Sequence, residues 1–390
     1  MNVTTVENQT HLGELCERVG RAPRVGLDTE FHAERTYAAR LMVVQLAFED
    51  GAAIVDPLAL PDLMPLALAL ESTTVVGHAL SSDLKIFAEK FGRVPPKIFD
   101  CQVAASFLGY GMQVSLADLV RDLTGVRLTK SQTVSDWSSR PLSPRQIDYL
   151  VNDVAHLFAV QDKLLERLRA TGREEWAIDE NAALGTIEKY AVDERRLVQR
   201  VPGNNRMNRR ELGILGELVR LRDKMARERD IPAKYIVPDD VMAGLATLRP
   251  KTLDDLAQLR RVDQGMKRTL GDAILAAVER GEAIPEDELP ERAPRPLGNA
   301  RETLVALLGV VAGEIARENG LPPSLLLPRN ALDRVAREVP RDREAFERAL
   351  GVSGWRLELV GNPLWQLLSG ETAARVEGYA QGDPKIRLCP

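Results

Sequence analysis

Histidine and cysteine are scarce in this chain. Four histidines are scattered over 390 residues, too dispersed to suggest an imidazole-based metal site. Three cysteines, Cys16, Cys101 and Cys389, stand far apart and form no C-x-x-C pair. That argues against a disulfide framework and a zinc knuckle. An excess of positive charge is also missing: 57 Asp/Glu outnumber 52 Lys/Arg, for a net charge of −5. This speaks only mildly against a nucleic-acid partner, because phosphate binding depends on local clusters and bound cations. No apolar run reaches membrane-span length, so no membrane partner is expected. The first residues, MNVTTVENQTHLGELCERVG, lack the basic start and apolar core of a signal peptide. A cytoplasmic protein is the expectation. What remains is ordinary globular material, 44% hydrophobic and 28% charged, long enough for two or three domains.

Up to about residue 170 the chain alternates strand and helix signals. PRVGLDTEF, LMVVQLAF, AAIVD and TTVVGH read as strands. SSDLKIFAEKFG, DCQVAASFLGYG, SLADLVRDLTG and SPRQIDYLVNDVAHLFAVQDKLLERLRA read as helices. Strands grouped early, with helices after them, fit a mixed sheet flanked by helices. Beyond residue 171 the strand signals vanish. The expected organisation is an α/β domain over 1–170, a helical connector over 171–205, a helical domain over 206–282, a Pro-rich linker over 283–299 and a second helical domain over 300–380.

The two helical blocks repeat each other. MARERDIPAKYIVPDDVM, from Met225 to Met242, aligns without a gap on IARENGLPPSLLLPRNAL, from Ile315 to Leu332. Ala226, Arg227, Glu228, Pro232 and Pro238 match Ala316, Arg317, Glu318, Pro322 and Pro328. Asp239, Asp240 and Asn330 are placed to cap the helices that follow.

The chemistry concentrates in VGLDTEF. On a strand, Asp28 and Glu30 share a face. Two carboxylates on a largely buried sheet repel each other and are unfavourable to desolvate. A hard divalent cation removes both penalties. Further carboxylates should then converge there. Asp83 falls in the first turn of the helix after TTVVGH. Tyr149 and Asp153, four apart in QIDYLVNDVAHLF, share one helix face.

Asp-x-Glu on the first strand, Asp at a strand-to-helix junction and Tyr-x-x-x-Asp on a late helix together resemble the DEDDy 3′–5′ exonucleases. KSQTVSDWSSRPLSPRQIDYLVNDVAHL, VGLDTEF and FDCQVAASFLG are similar to the ribonuclease D branch of that family. The repeated blocks resemble HRDC domains, shared with RecQ-type helicases. The resemblance implies a ribonuclease-H-like α/β fold with a mixed five-stranded sheet, followed by two all-α HRDC-like domains. It implies metal ligation by Asp28, Glu30, Asp83 and Asp153, with Tyr149 orienting the attacking water and two divalent cations, Mg²⁺ or Mn²⁺, as cofactors. It also implies a 3′–5′ exoribonuclease that trims structured RNAs such as tRNA precursors and releases 5′-mononucleotides. The partner would be an RNA 3′ end, single-stranded or carried as a tail, and the expected state is a monomer. The alternatives are an exonuclease acting on DNA and a nucleic-acid-binding platform without turnover. His78 stands where the wider superfamily often has Asn.

Other residues carry weaker signals. Lys130, Gln132 and Arg140, in the loop before the late helix, either touch the substrate backbone or lie solvated. Asp100 reads as a helix cap, His78 as a hydrogen-bonded core histidine, Trp137 as a packing anchor, and Trp355 and Trp365 as core aromatics. Arg227, Glu228, Arg317 and Glu318 read as solvated helix positions. The first helical block, with 16 Lys/Arg against 12 Asp/Glu over residues 206–280, is the more basic candidate for nucleic-acid contact.

Overall fold

A computed structural model describes residues 2–128, 136–191, 193–292, 297–382 and 385–389. Its N-terminal part contains β1 (Asn2–Val6), α1 (Gln9–Arg21), β2 (Arg24–His32), β3 (Arg40–Phe48), β4 (Gly51–Val55), α2 (Met64–Leu70), β5 (Thr74–Gly77), α3 (Ser81–Phe91), β6 (Ile98–Asp100), α4 (Cys101–Ser106), α5 (Leu116–Thr124), α6 (Pro144–Ala155) and α7 (Leu157–Ala170). The strands form one mixed sheet in the order β1-β4-β3-β2-β5-β6. β2, β3 and β4 form an antiparallel meander. β1, β5 and β6 join in parallel.

The sheet has six strands where five were expected. β6 is only three residues long, and β1 is an edge strand with a mostly exposed pattern. Neither leaves much alternation to read. The long helix expected before residue 170 is also two helices, α6 and α7, which part at His156.

Alternation on β2 and β3 sorts side chains to two faces. Leu27, Val44 and Leu46 pack with Leu12 and Val19 of α1, Leu66 of α2 and Leu84 and Phe87 of α3. The other face takes the late helices. There Val43 and Ile54 pack against Leu150 of α6 and Trp137, while Ala47 meets the core that contains Leu157 and Leu164 of α7.

A connector follows with α8 (Glu174–Ala182) and α9 (Glu194–Arg200). The first helical copy comprises α10 (Arg209–Arg229), α11 (Ala233–Ile236), α12 (Asp239–Leu248) and α13 (Gln264–Ala283). The second comprises α14 (Asn299–Glu318), α15 (Pro323–Leu326), α16 (Ala331–Glu338), α17 (Arg343–Leu350) and α18 (Asn362–Ser369). The duplication extends to the backbone. Asp230 (φ 48°) and Gly320 (φ 60°) follow the first helix of each copy in left-handed conformation, and Arg249 (φ 53°) and Val339 (φ 48°) end the third.

Three expectations for this half change. The second copy is followed by a β-hairpin, β7 (Ala373–Glu377) with β8 (Lys385–Cys389). The proposed caps do not form: Asp239 instead pairs with Arg222 at 2.5 Å, Asp240 with Arg261 at 2.9 Å, and Asn330 accepts from Arg334 at 2.6 Å. The matched Arg-Glu positions are not simply solvated either. Arg227 bonds Tyr37 of the α/β domain, and Glu318 pairs with Arg387 of the hairpin. Trp355 is buried and Trp365 packs against the same core, as expected.

Candidate active site

The site begins where the sheet is uneven. β2 pairs with β5 only from Arg24 to Gly26, yet β2 runs on to His32. Past Gly26 this edge of β2 is not paired with β5. The opposite edge stays paired with β3 as far as His32, with a bulge at Glu30/Phe31. Asp28 and Glu30 therefore project from a strand held firmly on one side and approachable on the other.

The chain after β5 fills that approach. A Cβ on Gly77 would lie 2.8 Å from the Leu27 carbonyl oxygen, so only glycine allows the turn so close. Ala79 then adopts a left-handed φ of 59°, an unfavourable conformation that needs outside support. Asp100, 1% exposed, supplies it. Its carboxylate accepts from Ala79 N (3.0 Å) and Leu80 N (2.8 Å), and also caps α4 through Gln102 N (2.8 Å) and Val103 N (3.3 Å). The expected helix cap is present and also braces the turn that launches α3. Asp100 N in turn donates to buried Asn181 of α8 at 2.6 Å. The braced turn sets Asp83 in the first turn of α3, 5% exposed, where its carboxylate accepts from the Thr29 hydroxyl.

From the other face, α6 brings Tyr149 and Asp153. A capping box between Ser143 and Gln146 and Pro144 in the first turn fix where α6 starts. Leu150 and Val154 bury the helix, leaving Tyr149 and Asp153 directed along the sheet toward Asp28. Carboxylate oxygens of Asp28, Glu30 and Asp153 lie within 4.8 Å of one another. Asp83 stands beside this trio rather than in it, and its negative charge still acts on Asp28 and Glu30. Tyr149 donates to Asp153, and its ring leans on Trp137 at 5.6 Å.

The electrostatics are those of concentrated negative charge. Burial first, then Asp83, Asp153 and Glu30, push Asp28 far above the carboxylate range. Burial with Asp153 and Asp83 raises Glu30 to about 7. Burial lifts Asp153 to about 6 against the Tyr149 hydrogen bond, and lifts Asp83 to about 6 against that of Thr29. Tyr149 is pushed up by burial and by the anions of Asp153, Glu30 and Asp28. It stays a neutral phenol at ordinary pH. The donor set suits a hard divalent cation: oxygen ligands, close together, all raised by burial and, for Asp28 and Glu30, by their neighbours' charge as well.

The expected substrate contacts divide. Lys130 and Gln132 lie outside the described residues. Arg140 is committed to the protein. Its guanidinium holds Asp56 through two bonds, at 2.5 and 2.7 Å, and also donates to the carbonyls of Met42, Trp137 and Ser139. A fork with those partners has little left for a phosphate. Burial tends to raise Asp56, but the Arg140 fork together with the backbone N–H groups of Leu58 and Ala59 outweighs it and holds the carboxyl below its usual range. Arg140 thereby fixes the loop that puts Trp137 under Tyr149, in the anchoring role read for Trp137. His78, expected as a hydrogen-bonded core residue, is only partly buried, and its Nδ1 has no partner. Burial lowers its pKa, opposed by the nearby Asp100 charge and by a hydrogen bond with the Val114 backbone. Sequence reading missed Thr29, Asn181 and Gln45. The last has a signal, a lone amide inside LMVVQLAF.

Comparison with known proteins points to one family. A family model described as 3′–5′ exonuclease matches residues 3–169. The HRDC domain model matches twice, at 211–278 and 303–368. The ribonuclease D of Gluconacetobacter diazotrophicus is 37% identical over 385 residues, covering 96% of this chain and 94% of that protein. That of Granulibacter bethesdensis is 36% identical over 382 residues, covering 96% and 95%. The solved structure of Escherichia coli RNase D, described as an exoribonuclease involved in structured RNA processing, matches with a TM-score of 0.82 at 29% identity. The match covers 95% of this chain and 99% of that one.

Proposed function

The chain belongs to the ribonuclease D family, and on that premise we propose that it hydrolyses RNA from the 3′ end, releasing 5′-mononucleotides and trimming structured RNAs such as tRNA precursors. The reading places it in the cytoplasm as a monomer, acting on 3′ ends that are free or carried as tails. Among the described residues no helix is long and apolar enough to cross a membrane. The observation that carries the proposal is the convergence of Asp28, Glu30 and Asp153 within 4.8 Å.

Those three carboxylates, with Asp83 beside them, would hold two divalent cations, Mg²⁺ or Mn²⁺. Bound there, the cations would supply charge neutralisation at the phosphate and acidify the attacking water. The protein's own groups do the rest. Tyr149, kept neutral by burial and by its anionic neighbours, orients a water as a hydrogen-bonding phenol and does not act as its base. Trp137 stops the Tyr149 ring from swinging away. Thr29 and the Asp100-braced turn keep Asp83 at the open edge of β2.

The domain division in this reading is the one set out above, with 1–170 as the exonuclease. The first helical copy is its RNA-facing half. Tyr235 there is 65% exposed, with Lys234 5.2 Å over its ring. The aligned position in the second copy is Leu325, 3% exposed. An exposed aromatic beside a cation is suited to stacking on a splayed base and pairing with its phosphate.

A double dissociation tests the proposal. Asp28→Asn is expected to lose more activity than the ~10–100-fold typical of an outer-sphere change, while still binding RNA. Tyr235→Ala is expected to cleave short oligomers normally and to bind longer RNA about 5-fold or more weakly. Matched RNA and DNA oligomers, run in parallel with Mg²⁺ or Mn²⁺, report sugar preference. Near-normal turnover by Asp28→Asn would sink the reading.

A further inference from the structure

Gln45 lies in the middle of β3 and is 1% exposed, yet neither its Nε2 nor its Oε1 has a hydrogen-bond partner. Its ladder partner on one side is Asp28, and on the other Ile54. Directly opposed residues of an antiparallel pair share a face, with Cβ atoms about 4.5–5.5 Å apart. The amide is thus on the face that carries Asp28 and Glu30. It lies beside a wall of Val43, Ile54, Trp137 and Leu150. In apolar surroundings an unpartnered amide is unfavourable, and a leucine or methionine of similar volume would be more stable. The acceptor that the register sets beside it is the Asp28 carboxylate.

We propose that Gln45 is a positioning residue of the cation site: its amide hydrogen-bonds the Asp28 carboxylate, directly or through one water, and fixes that carboxylate for the ion. The proposal rests on the reading of Asp28, Glu30 and Asp153 as a cation site. Carboxylate oxygens of Asp28, Glu30 and Asp153 lie within 4.8 Å of one another, and a carboxylate that ligates a cation does so in its charged form. The Gln45 N–H then has an anionic acceptor, and a charge-assisted bond is stronger than a neutral one. Carboxylates that ligate metals are usually held by such an outer partner, whose loss weakens affinity about 10–100-fold.

The test is Mn²⁺ titration of the full chain by calorimetry, with no RNA present, alongside thermal melts. Native protein binds Mn²⁺ and Asp28→Asn does not; failure here would remove the cation site itself. Gln45→Met is expected to keep or raise the Tm of cation-free protein while weakening Mn²⁺ binding about 10-fold. A purely structural glutamine would give the reverse, a lower Tm with native affinity. Gln45→Glu, isosteric with the native residue, adds a carboxyl against Asp28. It should enlarge the Tm gain produced by Mn²⁺ at pH 8. Native-like Mn²⁺ affinity in Gln45→Met overturns the proposal. If that variant does not fold, an unchanged Mn²⁺ response in Gln45→Glu does so.

Discussion

Asp230 and Gly320 occupy equivalent positions after the first helix of each helical copy, both with left-handed backbone. Glycine adopts that conformation freely, and aspartate tolerates it at some strain. The aspartate has an evident use: its Oδ1 accepts from the backbone N–H of Tyr37, 3.1 Å away in the loop between β2 and β3. The Tyr37 hydroxyl donates to Asp223 at 2.6 Å and accepts from Arg227 at 3.1 Å, with the Arg227 guanidinium 5.2 Å from the ring. The first copy otherwise has its own core, centred on residues such as Leu215, Leu245 and Ile274. The second copy attaches differently. Phe346, Trp355 and Leu308 share one continuous core with Phe107, Leu157 and Leu164 of the exonuclease domain. Trp355 stacks on Trp176 at 4.8 Å and meets Phe107 edge-on at 5.5 Å. Arg173 ties the Phe107 carbonyl to that of Asn319. The two copies thus attach by different means, a polar latch in one and a fused apolar core in the other. Tyr235 is exposed in the first copy, whereas its counterpart Leu325 is buried in the second.

The contrast is broken most directly at Trp355. Trp355→Ala removes a large side chain from the shared core and should destabilise the protein by about 3–5 kcal/mol. Calorimetry should show the exonuclease domain and second copy melting together at lower temperature. Independent melting of those two units would refute the shared core.

The next effect separates the strained site from both copies. In cation-free protein the folded-state pKa of Glu30 is about 7 and those of Asp83 and Asp153 about 6, above ordinary values near about 4. Raised carboxyls favour the fold at low pH, and that contribution is lost as pH rises through about 4 to 7. Tm should therefore fall across that window without cations. Adding Mn²⁺ should restore it, more at pH 8 than at pH 5 because protons compete for the same oxygens. A Tm response to Mn²⁺ that does not change with pH would contradict the assigned charge cluster.

The smallest effect is on the latch. Tyr37→Phe keeps the ring and deletes the hydroxyl, whose bonds to Asp223 and Arg227 should contribute about 1–2 kcal/mol. Amide exchange should quicken near the end of α10 while the Tm of the shared core holds. Equal slowing or no change at α10 would mean that the latch contributes nothing.

The sequence by itself determined the kind of site and the duplication. Asp28 with Glu30, and Tyr149 with Asp153, are legible as pairs because strand and helix periods place each pair on one face; that they form one set with Asp83 was implied by the family resemblance, and the proline loops of the two copies align without a gap. The helix-capping role of Asp100 was legible from its local position, but its brace on the turn at Ala79 and Leu80 was not. Long-range pairing decided the rest. Whether Arg140 meets phosphate or Asp56 depends on a partner 84 positions away. Whether Arg227 is solvated depends on Tyr37, 190 positions away. The isolation of Gln45 depends on which residue of β2 lies opposite it. Nothing in a local pattern encodes such partners, because they are set by how the strands register and how helices close over the sheet. The same holds for the two copies: their helices follow from matching sequence, but which copy shares the exonuclease core was decided only by packing.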